Sequence, residues 1–262
     1  MTKPNRDPLT FPPPIDVGDP PARFVEHCES FGISLGKEEL ERQARFLGLM
    51  LAANSVMNLT GIREPADAWV KHTFDALTLV GVAQGLREDE PDRPLAVADV
   101  GSGGGVPAIP LAIAMSDCQF VLIEATAKKV AFLRHAVREL GLPNVEIVNE
   151  RAEVVGQAHK THRGAHDLVT ARALGPLAVA AELTVALAKP GGLVALVKGD
   201  RAQEELEQAK QALHLLHAGC AGIIETPTGT IVVLEALRKA PRDYPRRVGE
   251  PKRVPLGVSR KA

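Results

Sequence analysis

Aromatic side chains are scarce in this chain. Seven Phe, one Trp and one Tyr make up 3% of its 262 residues, too few for base stacking to be the main grip on a nucleic acid. Cysteine is scarcer still. Cys28, Cys118 and Cys220 stand far apart and match neither a zinc spacing nor a disulfide framework, so no metal is expected. No paired histidine or Pro-Cys signature accompanies Cys118 or Cys220, which read as fillers of small core or edge sites rather than nucleophiles. No segment reaches 18 uncharged apolar residues, and Met1 to Pro21 holds no apolar signal core. The expectation is a soluble cytoplasmic protein that does not engage a membrane.

Net charge is also nearly absent, at −1, but the balance hides an asymmetry. Arg238 to Ala262 carries nine Lys or Arg against Asp243 and Glu250, a surplus of +7 that leaves the remainder at −8. A basic tail on an acidic body points to a polyanionic partner, since each cation placed on a phosphate releases a condensed counterion.

What is abundant is Ala, Leu and Val, within an apolar share of 45%, enough for a substantial core. Seven prolines crowd residues 1–21, which reads as a disordered leader. Residues 22–94 read as a helical extension. Phe24, Val25 and Cys28 share one face, Leu40, Ala44, Leu47 and Leu51 another, and Ala66 to Val80 forms a third helix after Pro65. The charged link Arg87 to Pro94 follows. Residues 95–237 then alternate. Strands are expected at 95–100, 120–124, 145–149, 166–171 and 193–198, with an antiparallel closing pair near 221–226 and 230–237. Helices are expected at 107–115, 127–140, 176–188 and 201–217. Lys189-Pro190-Gly191-Gly192 reads as the turn that stops one helix and feeds the fifth strand. Such alternation predicts an α/β fold with a mostly parallel sheet covered on both faces. Residues 238–262 form the basic tail.

The most informative stretch is Asp99-Val100-Gly101-Ser102-Gly103-Gly104-Gly105. It follows the apolar run Leu95 to Ala98, so a buried strand ends in a glycine-rich turn that opens into a helix. The next strand, Phe120 to Ile123, ends in Glu124, an acid placed to accept two ribose hydroxyls. A dinucleotide site wants G-x-G-x-x-G, but Val106 fills the third glycine slot. No Lys-Ser or Lys-Thr follows, which excludes a Walker-type phosphate loop. An acid before Gly101, the G-x-G-G-G turn and the distal acid fit S-adenosylmethionine better. The fold expected is therefore Rossmann-like, of the class I S-adenosylmethionine-dependent methyltransferase type, with seven strands.

Ligands in such sheets sit off the carboxyl ends of the strands. Gly101, Gly103 and Val106 would pass under the methionine part. Glu124, with Ala125 and Thr126, would hold the ribose; an N-cap for the helix over 127–140 is the alternative. Ala152 would offer its N–H, and Glu153 its carboxylate, to the adenine; a plain surface acid is the alternative for Glu153. Arg172 closes the strand Leu168 to Ala171 and is placed for the cofactor carboxylate or a substrate phosphate; a structural ion pair is the alternative. His72 and Asp75, three apart on one helix, share a face and join Arg172 as candidates for the chemistry. Asn58 reads as a turn residue. Lys128 and Lys129 begin a helix, where cations oppose the dipole, which makes sense opposite a phosphate. The Asn- or Asp-Pro-Pro-aromatic turn of exocyclic-amine methylases is replaced by Ala171-Arg172-Ala173-Leu174-Gly175-Pro176, and the cysteine needed for pyrimidine C5 methylation is missing. A ring nitrogen with a free lone pair needs neither. Guanine N7 can attack a sulfonium methyl that is aligned with it.

With these residues in hand, the chain resembles the bacterial 16S ribosomal RNA guanine-N7 methyltransferases, the glucose-inhibited division protein B family. The similarity is carried by Asn58-Leu59-Thr60-Gly61-Ile62, by Trp69-Val70-Lys71-His72 with Asp75, and by Asp99 to Pro110. It continues in Lys128 to Arg134, Arg151-Ala152-Glu153, Thr170-Ala171-Arg172-Ala173, Lys198-Gly199, Tyr244-Pro245-Arg246-Arg247 and Pro255-Leu256. It spans roughly Ala22 to Leu256. The resemblance implies methyl transfer from S-adenosylmethionine to guanine N7 in the 530-loop of 16S rRNA, at rRNA position 527. It implies cofactor contacts at Gly101, Val106, the Ala152–Glu153 pair and Arg172. RNA contacts are expected at Lys128, Lys129, Arg134, Lys198, Arg246 and Arg247, on naked 16S rRNA or the small ribosomal subunit, by a monomer. Family members often carry Asp where Glu124 stands and Phe or Leu where Val106 stands. The competing readings are a small-molecule methylase, a non-catalytic RNA-binding or assembly factor that keeps the fold, and a nicotinamide oxidoreductase.

Overall fold

The computed structural model describes residues 10–88, 92–158 and 161–257. Leader residues 1–9, residues 89–91 of the charged link, and Arg260 and Lys261 of the tail lie outside the described residues. The helical N-terminal region comprises α1 (Ala22–Ser30), α2 (Lys37–Ala53), α3 (Pro65–Ala68), a π-helical turn (Trp69–Phe74), α4 (Asp75–Leu77) and α5 (Val80–Gly85). Strands and helices then alternate: β1 (Ala96–Val100), α6 (Ala108–Ala114), β2 (Gln119–Ile123), α7 (Ala127–Leu140), β3 (Val145–Val148), α8 (Ala152–Gln157), β4 (His166–Arg172), α9 (Leu177–Thr184), β5 (Ala188–Lys198), α10 (Ala202–Leu216). The hairpin β6 (Ala218–Thr226) and β7 (Gly229–Ala236) and the short α11 (Glu250–Arg253) complete the chain.

The seven strands lie in the order β3-β2-β1-β4-β5-β7-β6. The first five pair in parallel, and β7 runs antiparallel to both β5 and β6. Alternate residues face opposite layers. Val97, Phe120, Leu122 and Leu168 join one core with the N-terminal helices, α6 and α7. Ala98, Val121, Ile123 and Val169 join the other with α9 and α10. Burial on both faces explains why β1 and β2 read as continuous apolar runs. The order reverses at β1, with β2 on one side and β4 on the other, which opens a crevice at their carboxyl ends.

Four expectations are corrected. The leader is not disordered from residue 10 onward. Phe11 packs on Phe132 and His135 of α7, and the Ile15 N–H donates to the Gly48 carbonyl of α2 at 3.3 Å. Gly48 permits this, because a Cβ there would collide with the Ile15 carbonyl. The helix expected over 66–80 is broken by the π-helical turn. Lys189 to Gly192 does not precede a strand; it lies inside β5, where the register against β4 shifts. The turn after α2 is built by Asn54 rather than Asn58: its Oδ1 accepts from the N–H groups of Leu59 and Thr60, and its Nδ2 donates to Thr60 O.

The N-terminal helices are held by large apolar side chains. Trp69, Phe46 and Phe74 are fully buried, and Phe24 meets Trp69 edge-on at 5.0 Å. Each such side chain contributes about 1.5–3 kcal/mol through burial. That seats the π-helical turn, and with it His72 and Asp75, against the sheet.

Candidate functional site

The glycine turn is tied to its neighbour strand. Gly101 and Ser102 N–H groups donate to Ile123 O at 2.9 and 3.2 Å. Gly101 has φ +73°, a conformation that favours glycine, and a Cβ there would push aside the Leu174 Cδ2 methyl, 2.6 Å away. Glu124, at the tip of β2, accepts from Gly103 N at 3.0 Å and from Thr126 N at 2.7 Å. These bonds hold the carboxylate beside the turn. With about four lone-pair sites on a carboxylate, acceptor capacity remains for hydroxyls.

A cleft in two lobes runs along these tips. One, of about 190 Å³, is lined by Gly101, Gly103, Val106, Lys129 and Arg172. The other, of about 410 Å³, is lined by Glu124, Ala125, Thr126, Ala152 and Glu153. Gly101, Ala173 and Leu174 border both. At the root of the turn, Asp99 is buried. Its Oδ1 accepts from Thr170 Oγ1 at 2.8 Å, while Oδ2 has no partner among the described residues. Burial pushes its carboxyl up to about 6. An orphaned buried carboxylate oxygen calls for a donor or cation. An orphaned acid at Asp99, a spare acceptor at Glu124 and a glycine floor between them fit a molecule with an ammonium group and a ribose. S-adenosylmethionine carries both.

Arg172 stands at the end of β4 and gathers the N-terminal helices. Its Nη1 donates to Lys71 O at 2.8 Å and to Asp75 Oδ2 at 3.1 Å. Its Nη2 donates to His72 Nδ1 at 3.2 Å. Arginine cannot accept, so Nδ1 carries no proton. Nε2 therefore holds it and donates to Thr60 Oγ1 at 2.8 Å. Burial, then the Arg172 charge, lowers the His72 ring to about 4. A neutral His72 with both nitrogens committed has no lone pair left to act as a base. Thr228, at the β6–β7 tip, donates to Asp75 Oδ1 at 2.8 Å. The sequence marked the stretch containing Thr60 but not its hydroxyl, and nothing in the spacing marked Thr228.

Beyond Arg172 opens a larger cavity of about 740 Å³, rimmed by Arg23, Lys71, Lys198 and Arg201 and sharing His72, Arg172 and Ala173 with the smaller lobe. Of the expected RNA contacts, Lys129 lines the small lobe and Lys198 the large cavity. Lys198 is nonetheless paired with Glu205 at 2.6 Å and donates to Gly175 O. Lys128 and Arg134 are exposed on α7 and line neither space. Arg247 is exposed, 3.7 Å from Glu250. Arg246 departs furthest from expectation. Its N–H, Nε and Nη2 all bind the fully buried Glu182 carboxylate at 2.6–2.9 Å, and releasing it to a phosphate would strand that charge. Glu153 lines the 410 Å³ lobe, and its Oε1 accepts from Gly249 N at 2.8 Å.

The switch-point cleft, glycine turn and seven-stranded order define a Rossmann-like class I methyltransferase. The fold alone is shared with a candidate O-methyltransferase from Klebsiella pneumoniae, at TM-score 0.52 and 16% identity, over 72% of this chain and 89% of that one. Residues 39–223 match the family model described as rRNA small subunit methyltransferase G. A ribosomal RNA small subunit methyltransferase G of Sorangium cellulosum is 41% identical over 94% of this chain and all of its own length. That of Lacticaseibacillus paracasei is 35% identical over 90% of this chain and 98% of its own. The chain belongs to the rRNA small subunit methyltransferase G family, and its methyl donor is S-adenosylmethionine.

Proposed function

We propose that this enzyme methylates N7 of a guanine in the 530-loop of 16S rRNA, at rRNA position 527. The observation that carries the reading is the junction at Arg172. The small lobe of the cofactor cleft and the basic cavity meet there and share Arg172, His72 and Ala173. The cofactor, when bound, supplies a sulfonium methyl. Gly101 to Val106 would lie beneath its methionine part, Asp99, buried at the root of that turn, would add negative charge below the ammonium, and Glu124 would accept its ribose hydroxyls. Ala152 and Glu153 would border the adenine.

The N7 assignment is supported by the committed state of the acids and bases at the junction. Guanine N7 attacks through its own lone pair, so no group has to remove a proton. His72 is neutral without a free lone pair, and Asp75 is bonded to Arg172 and Thr228. Arg172 then acts as a fixed cation beside the reacting groups, held by His72 and Asp75 as positioning residues. Arg23, Lys71 and Arg201 face the phosphates. The enzyme acts as a monomer in the cytoplasm, on 16S rRNA either naked or within the small subunit. The described residues include no helix long and apolar enough to cross a membrane.

The test is transfer of labelled methyl from S-adenosylmethionine to small subunits from a strain lacking the enzyme, followed by borohydride–aniline cleavage at N7-methylguanine. One new cut in the 530-loop is expected. Label in RNA without that cut would overturn the N7 assignment.

A further inference from the structure

The segment after β7 was expected to be a basic tail, yet Arg246 to Leu256 is fastened to the body. Arg246 grips Glu182 and donates to Val254 O at 2.7 Å. Gly249 N donates to Glu153. Gln157 Nε2 donates to Pro245 O. The Arg163 guanidinium donates to the carbonyls of Tyr244, Ala240 and Pro241. Leu256 is buried in the α9–α10 core. These bonds deliver Gly249, Pro251 and Lys252 to one place, the rim of the 410 Å³ lobe that Glu124 and Ala152 also line.

We propose that residues 249–252 form a wall of the adenosine end of the cofactor cleft, so that the C-terminal segment is a binding element for S-adenosylmethionine. The inference rests on the reading of that cleft as the cofactor site. A buried ion pair such as Glu182–Arg246 adds little net stability, and its best-attested use is to fix register. The register fixed here is that of the segment crossing the cleft. Glu153 links the two directly, because it borders the lobe and accepts a hydrogen bond from the wall. Pro251 is buried and presents an apolar ring, suited to the face of a planar base.

Hydrogen exchange on the full chain, with and without saturating S-adenosylhomocysteine, tests this, with calorimetry as the check on binding. Peptides covering 247–255 should slow by about tenfold, as should the glycine turn, while α10 stays unchanged. Measured binding with unchanged exchange at 247–255 would overturn the wall. Absence of binding heat would overturn the cofactor cleft itself, and the wall with it. As a second measurement, Arg246→Ala should weaken S-adenosylhomocysteine about tenfold, with partial recovery in Arg246→Lys. Unaltered affinity in a folded Arg246→Ala protein would likewise count against the wall.

Discussion

Arg172 donates at once to a carbonyl, a carboxylate and an imidazole, so its substitution reaches beyond one lost charge. Arg172→Ala leaves the buried Asp75 carboxylate without its cation, a loss of about 3–5 kcal/mol; methyl transfer should vanish and the melting temperature should fall. Asp75→Asn in the same background should restore the melting temperature without restoring activity, which thermal denaturation and methyl incorporation together decide. Two buried groups are shifted in opposite directions, His72 downward and Asp99 upward. His72 sits below its ordinary value of 6.5, at about 4. The unfolded chain therefore binds more protons between these values, and stability is lost as pH falls from about 6.5 to about 4. His72→Gln should flatten that part of the stability–pH curve in urea melts. Asp99 is raised to about 6, so a cationic ligand meets an ionised partner only as pH climbs through that value. Calorimetric affinity for S-adenosylhomocysteine should rise up to about pH 6 and then level, and Asp99→Asn should abolish the rise.

The elements show what a one-dimensional reading captures. β1 and β2 are buried on both faces, so their apolar runs are visible without any partner. The glycine turn and Glu124 lie next to them, and that half of the site was legible. Period alone could not show that the helix over 66–80 widens to a π-helical turn, since the deviation is a backbone adjustment around Trp69 and Phe74. The helix carrying Gly48 reads as ordinary in sequence, yet the leader crosses it there. Gly48→Ala would gain about 1 kcal/mol of helix propensity but drive a methyl into the Ile15 carbonyl, costing about 1–3 kcal/mol. The clash should win, and a lowered melting temperature with faster exchange at residues 11–17 is the expected result. Thr228 was invisible for a related reason: its partner Asp75 is 153 residues away, and no local pattern encodes a contact of that range.

At the scale of the whole molecule, charge was readable as an amount but not as a location. The basic surplus after Arg238 suggested an RNA-binding tail, whereas Arg246 is spent on a buried acid and the rim of the large cavity draws on Arg23, Lys71 and Arg201 from three distant segments. Lys71→Glu and Arg201→Glu should each weaken RNA binding at every sequence and reduce the salt slope by about 1, which filter binding across a salt series measures. The bond between Asp75 and Thr228 also has a meaning in time. During synthesis, the strands bearing the glycine turn emerge well before the β6–β7 hairpin. A chain arrested before Thr228 therefore lacks both the clamp that sets Arg172 and residues 249–252 at the adenosine end of the cleft. Neither the methyl donor nor the RNA meets a finished site until the last strand and the segment after it have emerged.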